Sequence, residues 1–154
     1  MGRLENNIVE VDQPIGRHPK EPLKRTVLSG GQPAKTTFIR LATFDFTEFV
    51  RIKLLTGRTH QIRVHANYIG HPVFGDVDYG GRENHLKGIS PECISSAREL
   101  LKITSHQLLH AWRLQFKHPE TGSDIILSCE LPEDFTNVVK KLTGDEWEKF
   151  IPEC

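Results

Sequence analysis

The chain has 154 residues with twenty basic and twenty acidic side chains, so it carries no net charge; that length suits one globular domain, and that balance argues against a generic polyanion binder. No apolar run approaches the ~20 residues needed to cross a membrane, and the opening Met1-Gly2-Arg3-Leu4-Glu5-Asn6-Asn7 lacks the apolar core of a signal peptide, so a cytoplasmic location is expected. The three cysteines, Cys93, Cys129 and Cys154, are odd in number and unpaired in spacing, and are expected as reduced thiols. The charge is unevenly spread: residues 1–65 hold eleven Lys and Arg against six Asp and Glu, and residues 66–154 hold nine against fourteen.

In chain order, residues 12–35 contain Pro14, Pro19, Pro22, Pro33 and the Ser29-Gly30-Gly31 turn, and suggest an irregular, partly basic approach. Thr36 to Thr43 predicts a strand, paired across the Asp45-Phe46-Thr47 turn with a second at 48–55. There Val50, Ile52 and Leu54 alternate with Arg51 and Lys53, the period-2 pattern of a half-buried strand. Gly57 permits a tight exit, Thr59 suits an N-cap, and Ile62, Ala66 and Ile69 follow at helical spacing until Gly70 and Pro72 close the helix. Residues 71–90 predict a loop, and Ser90 with Pro91 opens a helix reaching about Lys102. Leu108, His110, Trp112, Leu114 and Phe116 alternate as one strand face, and a turn over Pro119–Ser123 leads to a hairpin partner at Ile125–Cys129. Phe135, Val138, Val139 and Leu142 make an amphipathic last helix, stopped at Gly144, against which Trp147 and Phe150 are expected to dock. Strand pairs interleaved with helices predict an α+β domain on a mixed, largely antiparallel sheet with flanking helices.

The densest chemistry is the run Thr56-Gly57-Arg58-Thr59-His60-Gln61-Ile62-Arg63-Val64-His65. Free N–H groups at a helix start, flanked by Arg58 and Arg63, make a site for a phosphate or carboxylate. A metal site is not expected: His60 and His65 are five apart, on different helix faces, and no His-Glu-x-x-His occurs. Asp76 and Asp78, in a glycine-rich loop, are expected as turn formers.

The wording of this run, with Gly70-His71-Pro72 and Gly75-Asp76-Val77-Asp78-Tyr79-Gly80, resembles the C-terminal signature of the RluA-type pseudouridine synthases. Pro14-Ile15-Gly16-Arg17-His18-Pro19, Leu109-His110-Ala111, His118-Pro119 with Thr121-Gly122, and Leu131-Pro132 with Asp134-Phe135 agree with further family segments in order and spacing. The resemblance covers roughly residues 8–142, so residues 1–154 are expected to form one partial domain, the C-terminal portion of a synthase catalytic domain. It implies an isomerase that converts uridine to pseudouridine in ribosomal or transfer RNA with no metal or cofactor. It further implies Arg63 as partner of the catalytic aspartate and Leu109 as an aliphatic side chain packed beneath the target base. Arg58, Thr59, His60, Gln61 and Arg17 are the implied RNA contacts.

Two departures stand out. Where the family carries Arg-x-Lys-Met, this chain has Pro22-Leu23-Lys24-Arg25, of which only the lysine matches. The family's His-Arg-Leu-Asp segment, which bears the catalytic aspartate, and its active-site tyrosine have no counterpart in these residues. An isolated chain is therefore expected to be inactive and to need a complementing chain that carries the other half. The alternative expectation is a catalytically inactive RNA-binding module or fragment.

Overall fold

A computed structural model describes residues 1–150, apart from the side chains of Asp145, Trp147 and Phe150, so the expected docking of Trp147 and Phe150 lies outside the described residues. The chain forms two compact units, residues 1–108 and the remainder from Leu109.

In the first unit, β1 (Ile8–Asp12), β4 (Lys35–Thr43) and β5 (Glu48–Leu54) form an antiparallel sheet in the order β1-β4-β5. The alternation predicted for β5 holds: Val50 and Ile52 pack inward with Val9, Val11 and Phe38, while Arg51 and Lys53 stay exposed. Leu54, at the sheet end, is exposed despite sharing the inward parity. Leu41 is skipped in the register between Arg40↔Val50 and Ala42↔Phe49, a bulge that bends β4 near its turn. The stretch 12–35, expected to be irregular, holds a strand pair of its own, and residues 8–12, for which no element was expected, pair as well. β1 is zipped to β4 (Val9↔Phe38), and β2 (Ile15–Arg17) and β3 (Arg25–Val27) make a small antiparallel hairpin. The prolines fall in the connections and at the strand flanks, where the missing N–H costs no ladder bond.

Helix α1 (Gln61–Tyr68) is wedged between sheet and hairpin. Its Ile62, Ala66 and Ile69 pack on the sheet with Phe38 and Val11, whereas Val64 packs with Ile15, Ala34, Val27 and Tyr79. One short helix thus buries two faces, and burial of roughly 1.5–3 kcal/mol per large apolar side chain holds it where its own eight residues would not. Gly70, at φ 77°, ends it as expected. The predicted loop 71–90 contains one helical turn, α2 (Glu83–Leu86), and α3 (Pro91–Ile103) starts with Pro91 at its first position.

In the second unit, β6 (Arg113–Lys117) and β7 (Asp124–Ser128) form an antiparallel hairpin, and α4 (Glu133–Thr143) ends at Gly144, φ 65°. The strand expected from Leu108 is shorter than its alternation suggests. Residues 107–112 pair with no strand, although Cys129 donates its N–H to the Trp112 carbonyl just past the hairpin end. Leu114, Phe116, Ile126 and Leu127 are exposed. The architecture is α+β, and every strand pair among the described residues is antiparallel.

Candidate functional site

The expected N-cap at Thr59 does not form. Helix α1 begins one residue later, with His60 at the cap position in the left-handed region (φ 57°, ψ 17°), and no side chain caps it. Histidine is among the residues that tolerate this conformation, at a cost of about 1 kcal/mol or more. Tertiary contacts hold it. His60 Nδ1 lies 3.0 Å from the Tyr79 hydroxyl, and the two rings meet edge to face, 5.7 Å between centroids. Because the Tyr79 oxygen already accepts the Arg25 N–H at 2.9 Å, its own proton is free to point at His60 Nδ1. Burial, reinforced by the Arg63 charge, lowers the His60 pKa and favours this neutral ring.

Gln61, expected at the RNA face, is placed in the interior and has no group left for RNA. Its Oε1 accepts from the Arg58 N–H at 2.9 Å and the Thr56 hydroxyl at 2.8 Å, and its Nε2 donates to the Lys35 carbonyl and Thr36 Oγ1, both at 3.0 Å. The relay continues one turn on. Thr36 Oγ1 is 2.8 Å from His65 Nδ1, and His65 Nε2 is 3.0 Å from the Gln13 carbonyl. A carbonyl only accepts, so Nε2 carries the proton and Thr36 donates to Nδ1. Gln61 and His65 thus tie α1 to β4 and to the loop after β1, which fixes where the helix start points.

On the outer side of that start sits Arg63. Its Nε donates to Asp76 Oδ2 at 2.8 Å and its Nη2 to Asp76 Oδ1 at 2.7 Å, a bidentate pair, while Nη2 also reaches Asp78 Oδ2 at 2.7 Å. The guanidinium stands 4.7 Å from the Tyr79 ring centroid, a cation–π contact. Asp76 is fully buried, Arg63 retains 11% side-chain exposure and Asp78 retains 51%. Asp76 Oδ1 also accepts the N–H groups of Asp78 and Tyr79 at 3.1 Å, so this residue is the expected turn former and the arginine's partner at once. The hydrogen bond to Asp76 holds Arg63 further above its ordinary pKa, and that to Arg63 holds Asp78 below the usual carboxylate value. The Nη1 nitrogen of Arg63 has no partner among the described residues. Two donors in a fixed plane are therefore available to a further carboxylate or phosphate.

The remaining expected residues fall into two groups. Arg58 and Thr59 are exposed at the helix start, with Arg58 Nε donating to the Pro33 carbonyl at 3.1 Å, and Arg17 is exposed at the end of β2. Leu109 belongs to the second compact unit, in the irregular segment before β6, and is partly exposed. Asp76, Asp78 and Tyr79 were legible only as a spaced motif; the one signal pointing to them as a site was that Arg63, on a partly apolar helix, needs a counter-charge. Among the described residues no three His, Cys, Asp or Glu side chains are grouped closely enough to hold a metal ion, and no helix is long and apolar enough to cross a membrane.

Comparison with known proteins agrees with this geometry. The family model described as RNA pseudouridylate synthase matches residues 2–68, which include the helix start and Arg63. Ribosomal large subunit pseudouridine synthase D of Vibrio vulnificus is 38% identical over 144 residues, 94% of this chain and 43% of that protein. The same-named protein of Pasteurella multocida is 40% identical over 135 residues, 88% of this chain and 40% of that protein. The RNA pseudouridine synthase YjbO of Bacillus subtilis is 37% identical over 139 residues, 90% and 43%. Among solved structures, human RNA pseudouridylate synthase domain containing 1 superposes with a TM-score of 0.60 at 27% identity, covering 85% of this chain and 51% of that one. The chain thus spans less than half the length of the curated relatives it matches. Over the part it spans, the chain belongs to the RluA-type family of RNA pseudouridine synthases.

Proposed function

We propose that this chain supplies the arginine-bearing portion of an RNA pseudouridine synthase acting in the cytoplasm on ribosomal or transfer RNA, with large-subunit ribosomal RNA favoured by the names of its relatives. The observation that carries the reading is Arg63: a guanidinium fixed by Asp76, Asp78 and Tyr79, with Nη1 unspent. The reaction breaks the C1′–N1 bond of a uridine, turns the base, and joins C1′ to C5; the C5 proton leaves to solvent and N1 gains one. In this reading Nη1 receives the catalytic carboxylate of a His-Arg-Leu-Asp segment, which lies outside these 154 residues on the same longer polypeptide or on a complementing chain. A planar, always-charged donor pair keeps that carboxylate ionised and oriented.

A uridine in structured RNA must be extruded before its glycosidic bond is reached. Arg58, Thr59, His60 and Arg17 are proposed to hold the flanking phosphates, and Leu109 to pack beneath the base. Gln61 is left out of this set because its polar atoms are spent within the fold. The test reassembles the chain with a polypeptide carrying a His-Arg-Leu-Asp segment and follows release of tritium from C5-labelled uridine in RNA. Arg63→Ala, and Arg63→Lys with its single-point charge, are expected to abolish release while co-elution of the two polypeptides persists. Unaltered turnover by Arg63→Ala overturns the assignment.

A further inference from the structure

Beside the Arg63 cluster, β3 and α1 enclose a depression of about 200 Å³, lined by Arg25 and Val27 from the strand, Val64, Asn67 and Tyr68 from the helix, and Tyr79 from the loop. Its composition is uneven. Val64, Val27 and Tyr79 belong to one packed cluster and form the apolar base. Tyr68, one turn after Val64, leaves 54% of its surface open. The amide of exposed Asn67 and the hydroxyl of Tyr68 make no hydrogen bond within the described residues.

The rim carries Arg25, and the residue paired with it across the hairpin, outside the lining, is also an arginine. Arg25 stands directly opposite Arg17 in the β2–β3 register, and neither guanidinium has an ion pair among the described residues. Like charges directly opposed on a hairpin are destabilising, and a bound anion between them removes the cost. The Tyr79 ring joins this groove to the site already described, since Arg63 sits over that same ring.

We infer that the groove holds one unpaired ribonucleotide of the substrate, next to the uridine being modified. Its base lies against Tyr68, its edge is met by the Asn67 amide, and its phosphate is held by Arg17 and Arg25. An aromatic face, an amide with both donors and an acceptor, and a pair of arginines are the groups by which single-stranded RNA is bound. An acidic peptide would use the arginines and leave the ring and amide without a role. The inference rests on the RNA reading proposed above.

The test measures binding of the 154-residue chain to a short fluorescein-labelled, uridine-rich single strand by anisotropy across a salt series. Tyr68→Ala is expected to weaken binding about tenfold and Tyr68→Phe to restore it, because the ring and not the hydroxyl does the stacking. The double variant Arg17→Ala with Arg25→Ala is expected to reduce the slope of log Kd against log salt by about 1.4, the release expected for two single-strand phosphate contacts. The Arg25 backbone N–H that anchors Tyr79 survives this change, and Lys102→Ala on α3 serves as the control with no effect. Wild-type binding that neither Tyr68→Ala nor the double variant alters overturns the groove while leaving the RNA reading intact. Displacement of the strand by polyglutamate as effectively as by unlabelled RNA overturns the nucleotide assignment. Absence of any binding by the wild-type chain overturns both.

Discussion

Replacing Asp76 tests the central claim that this carboxylate, and not only the turn it shapes, sets the geometry of Arg63. In Asp76→Ala the guanidinium loses a bidentate partner and keeps only the half-exposed Asp78. Removing one member of a buried pair costs about 3–5 kcal/mol, and the 11% exposure of Arg63 argues for the lower end, about 3 kcal/mol. The N–H groups of Asp78 and Tyr79 also lose their acceptor, adding about 1 kcal/mol each. The sum, about 5 kcal/mol, is comparable to the whole stability of a small domain. Asp76→Asn keeps an oxygen for the two N–H groups but loses the charge and turns an NH2 group toward Arg63 Nε, so it is expected to cost about 3 kcal/mol. The assay is urea unfolding at neutral pH, followed by far-UV circular dichroism and by the absorbance of Tyr68 and Tyr79, which lie in the same compact unit as Asp76. A loss below about 1 kcal/mol for Asp76→Ala, or equal losses for the two variants, refutes the reasoning.

Two further outcomes follow from the same geometry. His65 is buried with its Nδ1 already accepting, so burial lowers its pKa; the unfolded chain then takes up the proton more readily, and stability is full above the unfolded value of about 6.5 and falls as pH drops below it. His60 shifts the same way, so a thermal midpoint measured at pH 7.5 is expected to exceed that at pH 5.5, and an equal or higher midpoint at the acid value contradicts the hydrogen-bond assignment. Gly81 donates its N–H to the Asp76 carbonyl and accepts from Gly75, and a Cβ there would overlap the Val73 carbonyl oxygen. Gly81→Ala is therefore expected to cost about 3 kcal/mol by forcing the loop open, measured by the same urea titration, and a change within about 0.5 kcal/mol counts against the loop packing described.

Much of the local structure was legible because it depends on neighbours along the chain. The alternation at 48–55, the helical spacing of Ile62, Ala66 and Ile69, the glycine stop at Gly70 and Pro91 at a helix start all reappear in the fold, as do the β6–β7 turn and the last helix. Legibility failed where pairing, not pattern, makes the element. β1 exists through its register with β4, residues 35–39, and the proline-rich stretch that follows it hid the β2–β3 hairpin. At 107–112 the opposite occurred: alternation was present, but no strand pairs there.

The sequence by itself determined the family wording, the α+β class and the presence of Arg63 at the start of a helix, since motif, periodicity and breakers are properties of adjacent residues. Only the tertiary structure decided what those residues do. It turned Gln61 inward, because an interior amide satisfies four groups, two from the loop just before it and two from β4, some twenty-five residues away, which folding alone brings near. It moved the helix start from Thr59 to His60, because Tyr79, nineteen residues on, holds a strained backbone in place. And it gave Arg63 its buried partner, Asp76, thirteen residues away: a guanidinium taken out of water requires a counter-charge, and which carboxylate answers is set by how the loop folds back, not by spacing.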